Sequence, residues 1–168
     1  MITTTSMKTH GCGEITRNEI GKEVTIAGWA SAVRDLGGII FIEVRDKSGF
    51  FQLVSDPQKN PEVYEVFQKI RDEFVIKATG IVSERPAETY NDKLPTGTIE
   101  VYPTSIEILS SAAVMPFPLN SEDVSEDVRL KYRYLDIRQE KVMNCLKLRH
   151  EIVKTMRNYL NDQNFMEV

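Results

Sequence analysis

Alternation between apolar and polar residues, in short segments, is the feature that most limits how this chain folds. In Ile39–Asp46, the side chains of Ile40 and Ile42 fall on one side of an extended chain. Phe51 and Leu53 repeat the pattern in the next segment. Successive side chains of a strand point to opposite faces, so a period of two predicts strands that bury one face.

The order of these segments predicts the fold. Six segments are candidate strands, the last of them optional: Val24–Ala30, Ile39–Asp46, Phe50–Ser55, Phe74–Val82, Thr98–Tyr102 and Ile106–Leu109. Between the third and fourth, Asn60 and Pro61 suit the start of a helix that buries Val63 and Phe67. This order fits a mainly β fold, a five-stranded OB-fold Greek-key barrel with one helix between strands 3 and 4. A generic small β-barrel or an α+β sandwich is the alternative.

Three details accompany that prediction. Gly28, inside the first strand, suggests a bulge or bend. Arg34-Asp35 and Lys47–Gly49 are expected to lie in turns or polar loops between strands, and 84–97 in an exposed excursion.

Composition changes after the barrel. Pro116 and Pro118 precede a run of acids at 121–127, and the segment after it is basic. Proline fixes φ and lacks a donor, so an extended linker is expected here. The predicted organisation is a disordered extension at 1–6, a barrel at 7–112, a linker at 113–128 and the start of a second domain at 129–168.

In the second domain, Cys145–Leu160 has helical periodicity, and 164–168 looks like the beginning of a strand. Leu148, Ile152, Val153 and Met156 share one apolar stripe of that helix.

The outer face of the predicted barrel carries the candidate site. Alternation puts Phe41 opposite the core side of its strand, beside charged residues, and puts Gln52 on the outer face of the next strand. OB folds bind oligonucleotides on this surface, where an aromatic ring can stack on a base and an amide can meet a base edge. A loop or the helix could instead cover Phe41, Gln52 could simply be solvated, and Arg34 could either lie in a plain polar loop or reach phosphates or bases.

Several function classes find no support. Cys12 and Cys145 stand far apart without a Cys/His cluster, so we expect two reduced, partly buried thiols and no metal site. We identify no catalytic constellation. A net charge of -4 does not suggest a nucleic-acid binder. No membrane span or signal peptide is expected, and a cytoplasmic or organelle-interior location follows.

Several separated strings nevertheless resemble bacterial-type aspartyl-tRNA synthetases. They include Thr9–Ile15, Val33–Ile42 and Pro95–Val101, and above all RLKYRYLDIR at Arg129–Arg138. The segment Leu148–Val168 is similar to the opening of class II synthetase motif 1.

This resemblance implies that the barrel binds the anticodon stem-loop of the aspartate tRNA. It implies a stacking role for Phe41, base reading by Gln52 and Glu100, and a contact from Arg34. It further implies that Leu148, Ile152, Val153 and Met156 belong to a homodimer interface in the full enzyme, with no role for DNA or membranes.

The resemblance implies ATP and Mg²⁺ for the full enzyme only, because its catalytic motifs would lie beyond Val168. A free-standing OB-fold RNA-binding paralogue, or the same region of an asparaginyl- or lysyl-tRNA synthetase, is the alternative. The chain departs from many members at Ala32 and Val33, where they carry arginines, so fewer phosphate contacts are expected. Leu36, where some members carry a histidine, favours charging of the aspartate tRNA alone.

Overall fold

A computed structural model describes residues 7–119, 121 and 123–168 of the chain. The predicted extension at 1–6 lies outside the described residues, as does Glu122 of the acidic run. The chain divides into two compact units, with the division between Ala113 and Val114. Each unit is described by itself.

The first unit is a closed barrel in which the strands follow the spatial order β1-β2-β3-β5-β4. Its elements are β1 (Glu23–Leu36), β2 (Ile39–Asp46), β3 (Gly49–Ser55), α1 (Pro61–Phe67), β4 (Val75–Glu84) and β5 (Ile99–Ser110). Strands β3 and β5 pair in parallel, and the other neighbours pair antiparallel. The predicted five-stranded OB-fold barrel, with its helix between strands 3 and 4, is confirmed.

Alternation along the strands produces the core. Ile40, Ile42 and Val44 of β2 are buried, as are Phe51 and Leu53 of β3. The α1 helix begins after Asn60, whose side chain accepts a hydrogen bond from Val63 N, and it closes one end with apolar residues. The remaining members of the core cluster include Ile15, Val24, Ile26, Phe67, Ile70, Ile76, Val82, Ile99 and Val101.

The bend of β1 is not at Gly28. The register shifts between Ala30 and Ala32, three residues further on, so the bulge lies there. Gly28 instead allows a close approach between strands, because a Cβ there would lie 2.4 Å from the carbonyl oxygen of Arg45.

The last two predicted strands are one. Strand β5 runs without interruption from Ile99 to Ser110 and pairs with β4 along its length. Pro103 lies within it opposite Gly80, where the register shifts. Proline has no N–H for the ladder, and strands accommodate it at such irregularities. The sixth candidate strand is therefore the second half of the fifth.

The N-terminal segment is tied to the hairpin between β2 and β3. The buried carboxylate of Asp46 accepts hydrogen bonds from Lys8 Nζ, 2.5 Å away, and from Cys12 N, 3.1 Å away. Asp46 pairs directly with Gly49, so the turn contains two residues rather than the three expected. Burial alone would raise the pKa of Asp46, but hydrogen bonds from Lys8 and Ser48 lower it to about 2.

The segment 84–97 is less exposed than predicted. Arg85 and Thr96 are buried at its two ends, and the Thr96 hydroxyl donates to Phe50 O at 2.7 Å. Only its middle forms an exposed loop.

The second unit contains α2 (Glu126–Lys131), α3 (Arg133–Asp136) and α4 (Glu140–Asp162). Phe117, Leu119 and Leu135 form a small buried cluster. The segment expected to be an extended linker is therefore partly packed, since Phe117 and Leu119 belong to it. Beside the cluster, the buried carboxylate of Asp136 accepts hydrogen bonds from Arg129 and Arg133.

Helix α4 is longer than expected, and none of its residues is buried. Residues 165–168 form no strand, although the sequence suggested the beginning of one. None of the helices in the described part of the chain has the length and apolar character needed to cross a bilayer.

Candidate nucleic-acid interface

Arg34 lies on a strand and not in a loop. Strand β1 continues to Leu36, which pairs with Ile39, so Gly37 and Gly38 alone make the turn. Their φ angles of 66° and 87° fit a type I′ hairpin, and glycine adopts both without steric cost. This tight turn sets exposed Arg34 directly opposite Phe41 on β2.

Phe41 lies on the outer face, as alternation predicted. Phe41 is half-buried, whereas its sequence neighbours Ile40 and Ile42 belong to the core. It pairs with Val54 of β3. Directly opposed residues have Cβ atoms about 4.5–5.5 Å apart. Arg34, Phe41 and Val54 therefore form a continuous row across three strands, in which Arg34 is exposed, Phe41 half-buried and Val54 buried.

Gln52 and Glu100 meet across the parallel strands β3 and β5. Leu53 pairs with Val101, and the residue before each lies on the outer face. Gln52 Nε2 donates a hydrogen bond to Glu100 Oε2 at 2.9 Å. Gln52 is half-buried, whereas Glu100 is only 3% exposed. Of the two predicted base-reading residues, Gln52 is thus at the surface and Glu100 lies behind it.

Two residues that the sequence analysis did not single out also approach Glu100. Arg85, itself buried, forms an ion pair with it at 3.8 Å and donates to Ile99 O at 2.9 Å. Tyr102 lies near the same carboxylate, and burial first and Glu100 second raise the pKa of Tyr102 to about 12. Alternation could have indicated Tyr102, two positions after Glu100, but no local pattern indicates Arg85.

An open cavity of about 830 Å³ lies beside this cluster. Lys59, which follows β3 in the chain, lies at the edge of this cavity, with its Nζ 3.9 Å from the ring centroid of Tyr102. Such a cation–π contact restrains both side chains. The lining residues are Lys59, Ser83, Glu84, Arg85, Pro86, Ala87, Tyr90 and Tyr102.

The predicted dimer residues share one face of α4. Leu148, Ile152 and Met156 are 63%, 51% and 60% exposed, and Val153 is half-buried beside them. A smaller cavity of about 360 Å³ separates the end of α4 from the residues after it. Leu148, Ile152 and Met156 of the stripe are therefore largely exposed.

The two thiols differ from expectation in burial. Cys12 is buried and Cys145 is exposed, whereas both were expected to be partly buried. Burial, and after it the Asp46 carboxylate, raises the pKa of Cys12 to about 12, so this thiol stays protonated and unreactive.

The family assignment follows from residues 24–109, which match the family model described as "OB-fold nucleic acid binding domain". This match spans more than half of the chain, and the chain belongs to that family. Residues 125–168 match a second model, "tRNA synthetases class II (D, K and N)".

Individual relatives confirm the resemblance to aspartyl-tRNA synthetases. The chain is 48% identical to the aspartate–tRNA(Asp/Asn) ligase of Cyanothece sp., covering 96% of this chain and 28% of the relative. It is 50% identical to the ligase of the same name from Persephonella marina, covering 94% and 26%. The chain thus spans between a quarter and a third of the length of these relatives.

Solved structures agree. The asparaginyl-tRNA synthetase of Pyrococcus horikoshii superposes with a TM-score of 0.80 at 28% identity, covering 98% of this chain and 36% of the other. The barrel also matches a complete chain, an OBody bound to hen egg-white lysozyme, with a TM-score of 0.56 at 29% identity, covering 66% of this chain and 100% of the other.

Proposed function

We propose that this chain is the anticodon-binding region of an aspartate–tRNA ligase, and that the outer face of β1, β2, β3 and β5 binds the anticodon loop of the tRNA. One observation carries the proposal: Arg34, Phe41 and Gln52 lie on adjacent strands of one face. A charge, a ring and an amide are thereby placed side by side.

Each of these side chains supplies a different interaction. Phe41 offers a ring on which a base can stack, worth about 1–3 kcal/mol. Gln52 offers hydrogen bonds to a base edge, which distinguish one base from another. Arg34 offers a charge to a phosphate, which positions the RNA without reading its sequence. Direct base contact by Glu100 would require Gln52 or Tyr102 to move aside, because its side chain is 4% exposed.

The longer protein would activate aspartate with ATP and transfer it to the tRNA. No three His, Cys, Asp or Glu side chains among the residues described here come together to hold a metal ion. We assign ATP and Mg²⁺ to the longer protein, of which this chain would be one part. A cytoplasmic location accords with this function.

The organisation of that protein follows the sequence-based boundaries. We propose a barrel at 7–112, a hinge at 113–128 and the beginning of the catalytic domain at 129–168. The exposed stripe of Leu148, Ile152, Val153 and Met156 would pack in the homodimer interface. Burial of such large apolar side chains contributes about 1.5–3 kcal/mol each, so their exposure favours a partner.

Binding of anticodon hairpins tests the proposal. The 168-residue chain should bind the hairpin of the aspartate tRNA more tightly than one with a scrambled anticodon, measured by fluorescence anisotropy at fixed salt. Phe41→Ala should weaken binding by about 1–3 kcal/mol through loss of stacking. Ile20→Ala removes a side chain that is 38% exposed and lies outside this face, and it should change nothing.

Equal affinity for the native and scrambled hairpins would overturn the proposal. The same assay separates the alternatives: preference for a lysine- or asparagine-tRNA hairpin would favour another synthetase of the subclass. The two ligases described above are named for both Asp and Asn tRNAs. Leu36 still predicts binding to the aspartate hairpin alone, and comparable binding of both hairpins would contradict that prediction.

A further inference from the structure

The orientation of the Gln52 amide is determined by its partner. An ionised carboxylate accepts hydrogen bonds and donates none, so the amide nitrogen must face Glu100, as it does at 2.9 Å. The oxygen Oε1 is then turned away from Glu100. It accepts no hydrogen bond from the described residues, yet it is not among their buried polar atoms without a partner. Oε1 is therefore accessible.

Glu100 is held from two further sides. Arg85 approaches Oε2 at 3.8 Å and is itself fixed by its bond to Ile99 O. Tyr102 lies beside the carboxylate, which raises the pKa of its hydroxyl, and the side chain of Glu100 is 4% exposed. A buried carboxylate with these partners cannot turn away without leaving the Arg85 charge unpaired, which is costly.

Tyr102 is itself restrained. Lys59 lies over its ring, 3.9 Å from the centroid, on the side of the open cavity. This contact restrains the ring of Tyr102 beside Glu100. The chain of contacts runs from Lys59 through Tyr102 and Glu100 to Gln52.

We propose that Glu100, held by Arg85 and Tyr102, is a positioning residue that fixes Gln52 with its amide oxygen outward. This role rests on the proposed function, because the ligand is a base of the anticodon loop. A base with an N–H at this point donates to Oε1. A base that presents a lone pair is rejected, because two acceptors would face each other without water.

Exchanging one pyrimidine for the other, or one purine for the other, replaces an N–H by a lone pair or the reverse. Uracil and guanine carry an N–H on the ring nitrogen of the pairing edge, whereas cytosine and adenine carry a lone pair there. The experiment therefore exchanges each anticodon base in turn, pyrimidine for pyrimidine and purine for purine, in the hairpin. Affinity ratios are measured for the whole 168-residue chain.

At one anticodon position the unaltered chain should discriminate at least tenfold. In Glu100→Gln, the new amide at position 100 can present either its oxygen or its nitrogen to Gln52. Gln52 can then adopt both orientations, and the affinity ratio should fall below threefold. Tyr102→Phe keeps the ring under Lys59 and removes only the hydroxyl, and it should lower the ratio at least twofold. Phe41→Ala should weaken both hairpins alike and leave the ratio unchanged, which separates positioning from general loss of affinity.

An undiminished ratio in the variants that fold, judged by an unchanged thermal midpoint, would overturn the positioning role. Tyr102→Phe decides the matter alone if Glu100→Gln does not fold. Absence of discrimination at every position in the unaltered chain would instead overturn the proposed anticodon reading itself. The two failures are thus distinguishable.

Discussion

The barrel and the helical unit use apolar residues in opposite ways. The barrel turns the inner residues of five strands into one closed core, so that Phe51 and Leu53 have no exposed surface. In the helical unit, α4 runs for 23 residues and buries none of them. Apolar residues thus form a closed core in the barrel and a largely exposed surface along α4.

Charge divides the molecule in another way. Between Arg129 and Arg157, nine Lys or Arg residues oppose three Asp or Glu, a difference of +6. By charge alone, RNA would be expected on this basic segment. The face of the barrel instead carries one exposed arginine among aromatic and amide groups. The contrast teaches that net charge predicts where RNA is attracted, and not where its bases are read.

Core truncation should separate the two units most strongly. Phe51→Ala leaves a cavity in the barrel and should destabilise it by about 3–5 kcal/mol. Ile152→Ala on α4 should change stability by less than about 0.5 kcal/mol, as expected for an exposed side chain. Urea unfolding measures the first through fluorescence of Trp29, which lies in β1, and the second through the helical circular-dichroism signal. A large loss in Ile152→Ala would show that α4 is packed and break the comparison.

Each unit also has an aspartate with a little-exposed side chain, Asp46 in the barrel and Asp136 in the helical unit, and the first should have the next largest effect. The pKa of Asp46 falls from 3.8 to about 2 in the folded barrel. A depressed pKa stabilises the fold above the unfolded value, here by about 2 kcal/mol. This contribution should be lost between about pH 4 and pH 2 as the carboxylate takes up its proton. Asp46→Asn should therefore be less stable than the unaltered chain at pH 7, with a difference that shrinks toward pH 2.

Asp136 is the matched residue of the helical unit. Hydrogen bonds from Arg129 first, and from Arg133, lower its pKa against the opposing effect of burial. Asp136→Asn should reduce the helical circular-dichroism signal and leave the Trp29 transition unchanged. A shift of that transition would contradict the separation of the two units.

Cleavage between the units should have the smallest effect on binding. Residues 113 and 114 are exposed, and Val114 is 98% exposed, while Phe117 is buried a few residues later. Thermolysin should cut first near Val114 and release a barrel that binds the anticodon hairpin within about twofold of the intact chain, because no contact residue is removed. First cleavage inside the barrel, or a large loss of affinity in the fragment, would contradict this.

Local patterns predicted much of the barrel. The positions of Phe41 and Gln52 followed from a period of two along β2 and β3, which depends only on neighbouring residues. Arg34 was placed in a loop because two glycines in sequence do not reveal how tight their turn is. Pro103 concealed the continuity of β5, because only the register with Gly80 shows where proline is tolerated.

The part of the site around Glu100 was not predictable in the same way. Lys59, Arg85 and Tyr102 come from different elements and meet only through the parallel pairing of β3 with β5 and the closure of the barrel. Nothing local relates their positions in sequence. The resemblance identified Glu100 but could not show that Gln52 covers it.

Chemical-shift mapping tests the central claim most directly. The ¹⁵N-labelled chain is titrated with the anticodon hairpin of the aspartate tRNA, and the perturbed backbone amides are placed on the structure. The largest changes are expected at Arg34, Phe41 and Gln52 and their neighbours on β1, β2, β3 and β5. Changes confined to the basic segment 129–157, with this face of the barrel unaffected, would contradict that claim.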